Sequence, residues 1–197
     1  MNYLAHLFLA EDTTESLIGN LLGDFVKGSL ETPKNCYSEN ILKGIRTHRK
    51  IDYFTDTHII HRKSRQRLSK IHRHFTGVII DIFYDHFLAK NWLFFSNKSL
   101  EQFIEKTYQI LEKNRDILPE KLNRAIPLMI AENWLILYQT IEGIDLVCRR
   151  LSRRIKRRNH LILAQNELRQ SYEEMESDFL IFFPELINYV ETNRTYF

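Results

Sequence analysis

Two groups of histidine and aspartate have types and spacings that could do metal chemistry. His48, Asp52 and Asp56 recur every four residues. In a helix that interval stacks the side chains on one face, where they could converge on a cation. Asp81 and Asp85 repeat the interval with His86 adjacent, among Val78, Ile79, Ile80, Ile82, Phe83, Phe87 and Leu88. Like charges one turn apart destabilise a helix. Burying them is costly unless they are paired, hydrogen-bonded or metal-bound. Asp24 is a further acid in apolar company, inside Gly19-Asn20-Leu21-Leu22-Gly23-Asp24-Phe25, and His6 sits within Tyr3-Leu4-Ala5-His6-Leu7-Phe8. Structural explanations compete at each position. His6 fits a hydrogen-bonded core histidine, and Asp52 and Asp56 fit surface pairs with Arg49 or Lys50. The Asp81–Asp85 pair is harder to explain that way. Oxygen and nitrogen ligands of this kind suit Mn²⁺, Mg²⁺ or Fe²⁺.

The elements that must position these residues read as helices. Only 6 Gly and 4 Pro interrupt 197 residues, which favours long helices over a many-stranded sheet. Apolar spacing predicts a helix over Thr14 to Val26 capped by Thr13 or Thr14, and another from Ser38 to about Phe54. Gly28 to Tyr37, with Pro33, reads as a loop. Phe75 to Trp92 is apolar nearly all round, as a buried central helix must be. Ser99 to Ile117 is amphipathic. Pro119 opens a helix expected to reach Tyr138 with a kink at Pro127. Gly143 is expected to punctuate the chain before a basic helix, Ile144 to about Arg158. A long acid-rich helix, Leu161 to Phe183, is expected to break at Pro184. No period-two alternation is sustained anywhere. The fold expected is all-α: one helical bundle of about seven to nine helices, spanning 1–197 as a single domain.

Hydrophobic residues make up 44% of the chain, enough for a real core, which excludes a disordered protein. Cys36 and Cys148 fit neither a zinc spacing nor a disulfide framework and suit a reducing cytoplasm. No stretch is long and apolar enough for a membrane span, and Met1 to Ala10 lacks the basic flank of a signal peptide. A cytoplasmic protein is the expectation. Seven of the 28 basic residues fall between Arg149 and Arg158 with no acid among them, so the rest of the chain is net acidic. A second basic run holds Arg62, Lys63, Arg65, Arg67, Lys70 and Arg73. Local patches of this kind suit an acidic partner.

Several ordered blocks resemble the acyl carrier protein phosphodiesterases. Met1-Asn2-Tyr3-Leu4-Ala5-His6-Leu7 is similar to the family's opening, and Gly19 through Gly28 to its second block. Gly44-Ile45-Arg46-Thr47-His48-Arg49-Lys50-Ile51-Asp52 through Asp56 resembles the third, and Asp81-Ile82-Phe83-Tyr84-Asp85-His86 through Ala89 the fourth. Asn133-Trp134-Leu135 and Phe179 through Pro184 also fit, so the likeness covers nearly the whole chain.

The resemblance implies an all-helical relative of the HD phosphohydrolases, usually Mn²⁺-dependent, that removes 4′-phosphopantetheine from acyl carrier protein. This chain has only the reversed order, Asp85-His86, of the pair that names that superfamily. On this reading Asp24 is essential, and Asp24, His48, Asp52, Asp81, Asp85 and His86 form the pool of metal ligands. Lys27, Arg46 and Arg49 would hold the phosphate, and His6 would protonate the departing serine oxygen. Arg149, Arg150, Arg153, Arg154 and Arg157 would dock the acidic carrier. The rival readings are a metal phosphohydrolase acting on a small phosphate ester or nucleotide, a nucleic-acid binder using the Arg149–Arg158 helix, and a scaffold that binds carrier without turnover. The chain has no glycine-rich phosphate loop, and a nucleic-acid role leaves the acids in apolar company unexplained.

Overall fold

The computed structural model describes residues 1–30 and 37–194. Every regular element among them is helical, as expected. The α-helices run α1 (Tyr3–Phe8), α2 (Thr14–Leu22), α3 (Glu39–Thr57), α4 (Ile59–Arg67), α5 (Thr76–Lys90) and α6 (Trp92–Phe95). They continue α7 (Leu100–Lys113), α8 (Glu120–Ala131), α9 (Ile141–Arg154), α10 (Ala164–Gln170) and α11 (Tyr172–Asn193). Nine of these eleven have seven or more residues, in line with the number expected. Pro33 and Cys36, in the expected loop, lie outside the described residues. Cys148 is buried as a free thiol.

Local chemistry starts the helices where the sequence suggests. Thr13 and Ser38 accept hydrogen bonds from the Ser16 and Ile41 amides, satisfying donors that a first helical turn leaves free. Ser99 and Gln102 form a reciprocal capping box. The α5 helix is the central rod, with ten of its fifteen side chains buried. Phe83, Tyr84 and Phe87 of α5, together with Phe179, Phe182 and Phe183 of α11, are all fully buried in one continuous core. Each such side chain contributes about 1.5–3 kcal/mol on burial.

Several boundaries differ from expectation, among them the ends of α2, at Leu22 instead of Val26, and of α7, at Lys113 instead of Ile117. The helix opened by Pro119 stops at Ala131 instead of reaching Tyr138, because Asn133 turns the chain with φ of 45°, a left-handed conformation that Asn tolerates. The basic helix begins before Gly143, not after it: the Gly143 amide donates to the Thr140 hydroxyl in the first turn of α9, which ends at Arg154. The acid-rich helix is divided near Ser171, and Pro184 lies inside α11. A proline deprives the carbonyl four residues earlier of its donor. Pro184 and Leu180 both face solvent, so water can take that donor's place.

One packing contact sets the geometry of the site. Gly19 of α2 lies against Gly44 of α3 so closely that a Cβ on Gly44 would come 2.8 Å from the Gly19 Cα and 2.9 Å from the Ser16 carbonyl oxygen. Only residues without a side chain permit that approach. It brings the end of α2 beside the middle of α3.

Candidate metal centre

The first helix carries His6 into the core. Two of its first-turn amides, Leu4 and Ala5, donate to the Asp85 carboxyl at 2.7 and 3.2 Å. Asp85 is wholly buried, and burial lifts its pKa to about 7 against the opposing pull of the Met1 nitrogen and those two amides. It therefore anchors the start of α1. This corrects its expected place among the metal ligands, since both oxygens are already occupied by backbone donors.

His86 is corrected likewise. Its Nδ1 donates to the Tyr138 carbonyl at 2.7 Å and its Nε2 lies 2.8 Å from the Tyr172 hydroxyl. Both nitrogens are used, and neither partner belongs to the acidic cluster.

The other candidates converge. His6 Nε2 lies 3.1 Å from Asp52 Oδ1, and His48 Nε2 lies 3.1 Å from Asp52 Oδ2. The two imidazoles stack with centroids 3.7 Å apart. The ligand atoms of His6, His48 and Asp52 all fall within 4.8 Å of one another. Asp24, on the turn after α2, places Oδ1 at 3.8 Å from His48 Nε2. Gly23, just before it, lies directly against the His48 ring, where a Cβ would collide. Asp56 and Asp81 border the same recess of about 240 Å³, together with Met1, Asn2, Asp24, Asp52 and Val78.

The protonation of His48 follows from its neighbours. A backbone carbonyl can only accept, so the 2.7 Å contact with Asn20 fixes the proton on Nδ1. That leaves Nε2 facing the Asp52 carboxylate. Two lone-pair groups facing across 3.1 Å repel unless a proton or a metal ion lies between them. Metal-ligating histidines show this arrangement, in which one nitrogen is oriented by a carbonyl and the other aims at the ion. The residues therefore fit a divalent cation. Burial, then the neighbouring His48 ring, lower the pKa of His6 to about 4, so its imidazole is neutral at pH 7. Burial raises the pKa of Asp52, but hydrogen bonds from the His48 and His6 rings, with the nearby Met1 ammonium, outweigh that and hold it well below the ordinary carboxylate range.

His61 is the functional candidate that spacing does not reveal. It is fully buried on α4, with Nε2 3.1 Å from Asp81 Oδ1, and the Met1 nitrogen reaches the same oxygen at 3.3 Å. Its one signal in the sequence is the apolar pair Ile59-Ile60 before it, hidden by the basic residues that follow.

The expected phosphate-holding residues are placed differently. Arg49 donates to the Val26 carbonyl at 3.0 Å and so braces the turn that carries Asp24. Arg46 pairs with Glu39, and Lys27 is exposed on the turn. Within the basic run, Arg149 pairs with Asp145 at 2.7 Å, and Arg150 pairs with Glu132 while lying over the Trp134 ring. Arg153 and Arg154 line a second, largely apolar cavity of about 680 Å³ that shares Asn2, Asp24 and Val78 with the recess. Arg157 lies beyond the end of α9, exposed.

Fold and site together define an all-helical protein with a two-histidine, one-aspartate centre that could hold a metal ion, opening on an apolar cavity. Residues 1–186 match the family model described as acyl carrier protein phosphodiesterase. The chain is 34% identical over 197 residues to the acyl carrier protein phosphodiesterase of Photorhabdus laumondii, covering 100% of this chain and 98% of the relative. It is 32% identical over 195 residues to that of Pectobacterium atrosepticum, covering 98% and 100%. It is likewise 32% identical over 191 residues to that of Escherichia coli O6:H1, covering 95% and 96%. The chain belongs to the acyl carrier protein phosphodiesterase family. No solved structure matches it. Among the described residues, no helix is long and apolar enough to cross a membrane.

Proposed function

We propose that this protein is a metal-dependent phosphodiesterase of the cytoplasm, one catalytic domain related to the HD phosphohydrolases, that hydrolyses the bond between 4′-phosphopantetheine and the serine of acyl carrier protein. The observation that carries this reading is the shared wall between the two chambers. A cluster suited to a divalent cation meets an apolar cavity at Asp24, as a phosphodiester with a long uncharged arm requires.

The reaction forms a bond from water oxygen to phosphorus and breaks the bond from phosphorus to the serine oxygen. That oxygen leaves with a proton, giving apo-carrier and the 4′-phosphopantetheine monoester. A divalent ion, Mn²⁺ first and Mg²⁺ or Fe²⁺ as alternatives, supplies neutralisation of phosphoryl charge and a bound water of lowered pKa. His6, His48 and Asp52 would hold the ion, and the Asn20 carbonyl orients His48. His6 Nε2 also contacts the Met1 carbonyl at 3.2 Å, and its convergence with His48 and Asp52 is what groups it with the ligands instead of the proton donors. Asp24 accepts a hydrogen bond from the attacking water and so orients it. The apolar walls of the larger cavity, including Ile82, Leu128, Met129 and Tyr138, take up the arm and exclude water from it.

Holo-carrier incubated with enzyme and Mn²⁺ should lose the mass of the arm, a chelator should stop the loss, and re-added Mn²⁺ should restore it. Asp24→Asn should abolish cleavage while the variant still binds carrier. An unchanged carrier mass under these conditions, with a small phosphate ester hydrolysed instead, would overturn the reading.

A further inference from the structure

The five arginines of the basic run do not share one environment. Arg149 and Arg150 are neutralised by Asp145 and Glu132. Arg154 pairs with no carboxylate among the described residues. Its side chain reaches the Tyr3 hydroxyl, and Tyr3 in turn lies within the field of Asp24. Tyr3, Lys121 and Arg154 line the large cavity and also a small pocket beside Phe25, the residue after Asp24. Lys121 too has no carboxylate partner among the described residues. Two guanidinium groups without a carboxylate partner among the described residues, Arg153 and Arg154, and the Lys121 ammonium therefore line this mostly apolar cavity, and of the two Arg154 is the one that reaches Tyr3 and the pocket beside Phe25.

We propose that Arg154, with Tyr3 and Lys121, is a phosphate-holding subsite beside Asp24. This assignment rests on the phosphodiesterase reading above and refines it. It moves Arg154 from the docking surface to the substrate's phosphate and replaces Arg46 and Arg49, whose guanidinium groups are engaged with Glu39 and the Val26 carbonyl. Guanidinium is the suitable group, because it stays charged at any working pH and grips two phosphate oxygens at once. The Tyr3 hydroxyl holds it in place and is a donor of its own. A phosphodiester seated there would lie beside Asp24, where the acidic recess meets the cavity, within reach of the Arg154 guanidinium. The uncharged arm then continues along the apolar wall.

The test uses Mn²⁺-loaded full-length protein, comparing wild type, Arg154→Ala and Arg154→Lys by calorimetry. The probes are 4′-phosphopantetheine, pantetheine without its phosphate, and apo-carrier protein. Arg154→Ala should weaken 4′-phosphopantetheine binding by about ten-fold to a hundred-fold, the range for a hydrogen bond to a charged group. Pantetheine and apo-carrier should bind as in wild type, and Arg154→Lys should recover part of the loss. Tyr3→Phe should show a smaller loss of the same selectivity. Equal weakening of pantetheine and 4′-phosphopantetheine would overturn the subsite and make Arg154 a cavity wall. Weakened apo-carrier with unchanged 4′-phosphopantetheine would overturn it in favour of docking. Cleavage of holo-carrier by the wild type is scored separately, so failure of the activity is distinguished from failure of the subsite.

Discussion

Two carboxylates packed near the central helix, Asp178 and Asp52, show what separates a structural acid from a chemical one. Asp178 on α11 is almost wholly buried, and its oxygens receive Lys63 at 2.9 Å, Arg67 at 3.0 Å and the Ser64 hydroxyl at 3.0 Å. Ser64 in turn lies 2.8 Å from the Tyr84 hydroxyl. Every partner there is a donor, and the network is closed. Two of the six cations of the second basic run, Lys63 and Arg67, are thereby paired. Asp52 is less buried; it faces the His6 and His48 rings and the Met1 nitrogen, and shares its recess with Asp24, Asp56 and Asp81. Burial alone does not mark the site. On the proposed reading, carboxylates crowded into one recess beside two converging imidazoles do.

Three substitutions break or sharpen that contrast. Asp52→Asn should lower cleavage of holo-carrier by on the order of 10³–10⁴-fold, because it removes several kcal/mol of charge stabilisation at 1.36 kcal/mol per decade. Thermal unfolding should barely change, and a Tm drop matching the activity loss would place Asp52 with the structural acids. Asp178→Ala should do the reverse. Leaving Lys63 and Arg67 without their acid should cost about 3 kcal/mol in denaturant unfolding, the low end for a broken buried pair since both cations reach solvent. Turnover per folded molecule should stay near wild type; a selective loss of turnover would show that this network also serves the chemistry.

Asp85→Asn is the smallest of the three, about 1–2 kcal/mol, because an amide can satisfy only one of the two α1 donors. Its signature is the pH dependence. Burial raises folded Asp85 to about 7, whereas the unfolded carboxyl titrates near 4. Between those values the folded protein holds the extra proton, so this group's contribution makes stability fall as pH rises from about 4 to 7 and level off above. Denaturant titrations across that window should show wild type losing stability relative to the Asn variant. Parallel curves would mean that Asp85 keeps an ordinary pKa.

Much of the helical fold was legible because it depends on local signals. Thr13, Ser38 and Ser99 announce their helices, and the apolar run around Ile79 to Leu88 can only be a buried rod. The third block correctly puts His48 and Asp52 on one face, since four-residue spacing is a property of the helix itself. Asp85 and His86 misled for the opposite reason. Their apolar company was real, but the donors that satisfy Asp85 come from α1, some eighty residues earlier in the chain, and no periodicity encodes that meeting. Pro184 misled because the orientation of its helix toward solvent is a tertiary fact. His61 escaped notice because its partner, Asp81, becomes its neighbour only when α4 folds back on α5.

Asp24 borders both chambers. On the proposed reading, a ligand whose tail fills the larger chamber would set its scissile group beside this residue. A shortened tail would then leave the head free to sit askew, so trimming the substrate far from the bond should slow the chemical step as well as weaken binding. The threshold residue thus works as a gauge of how completely the chamber behind it is filled.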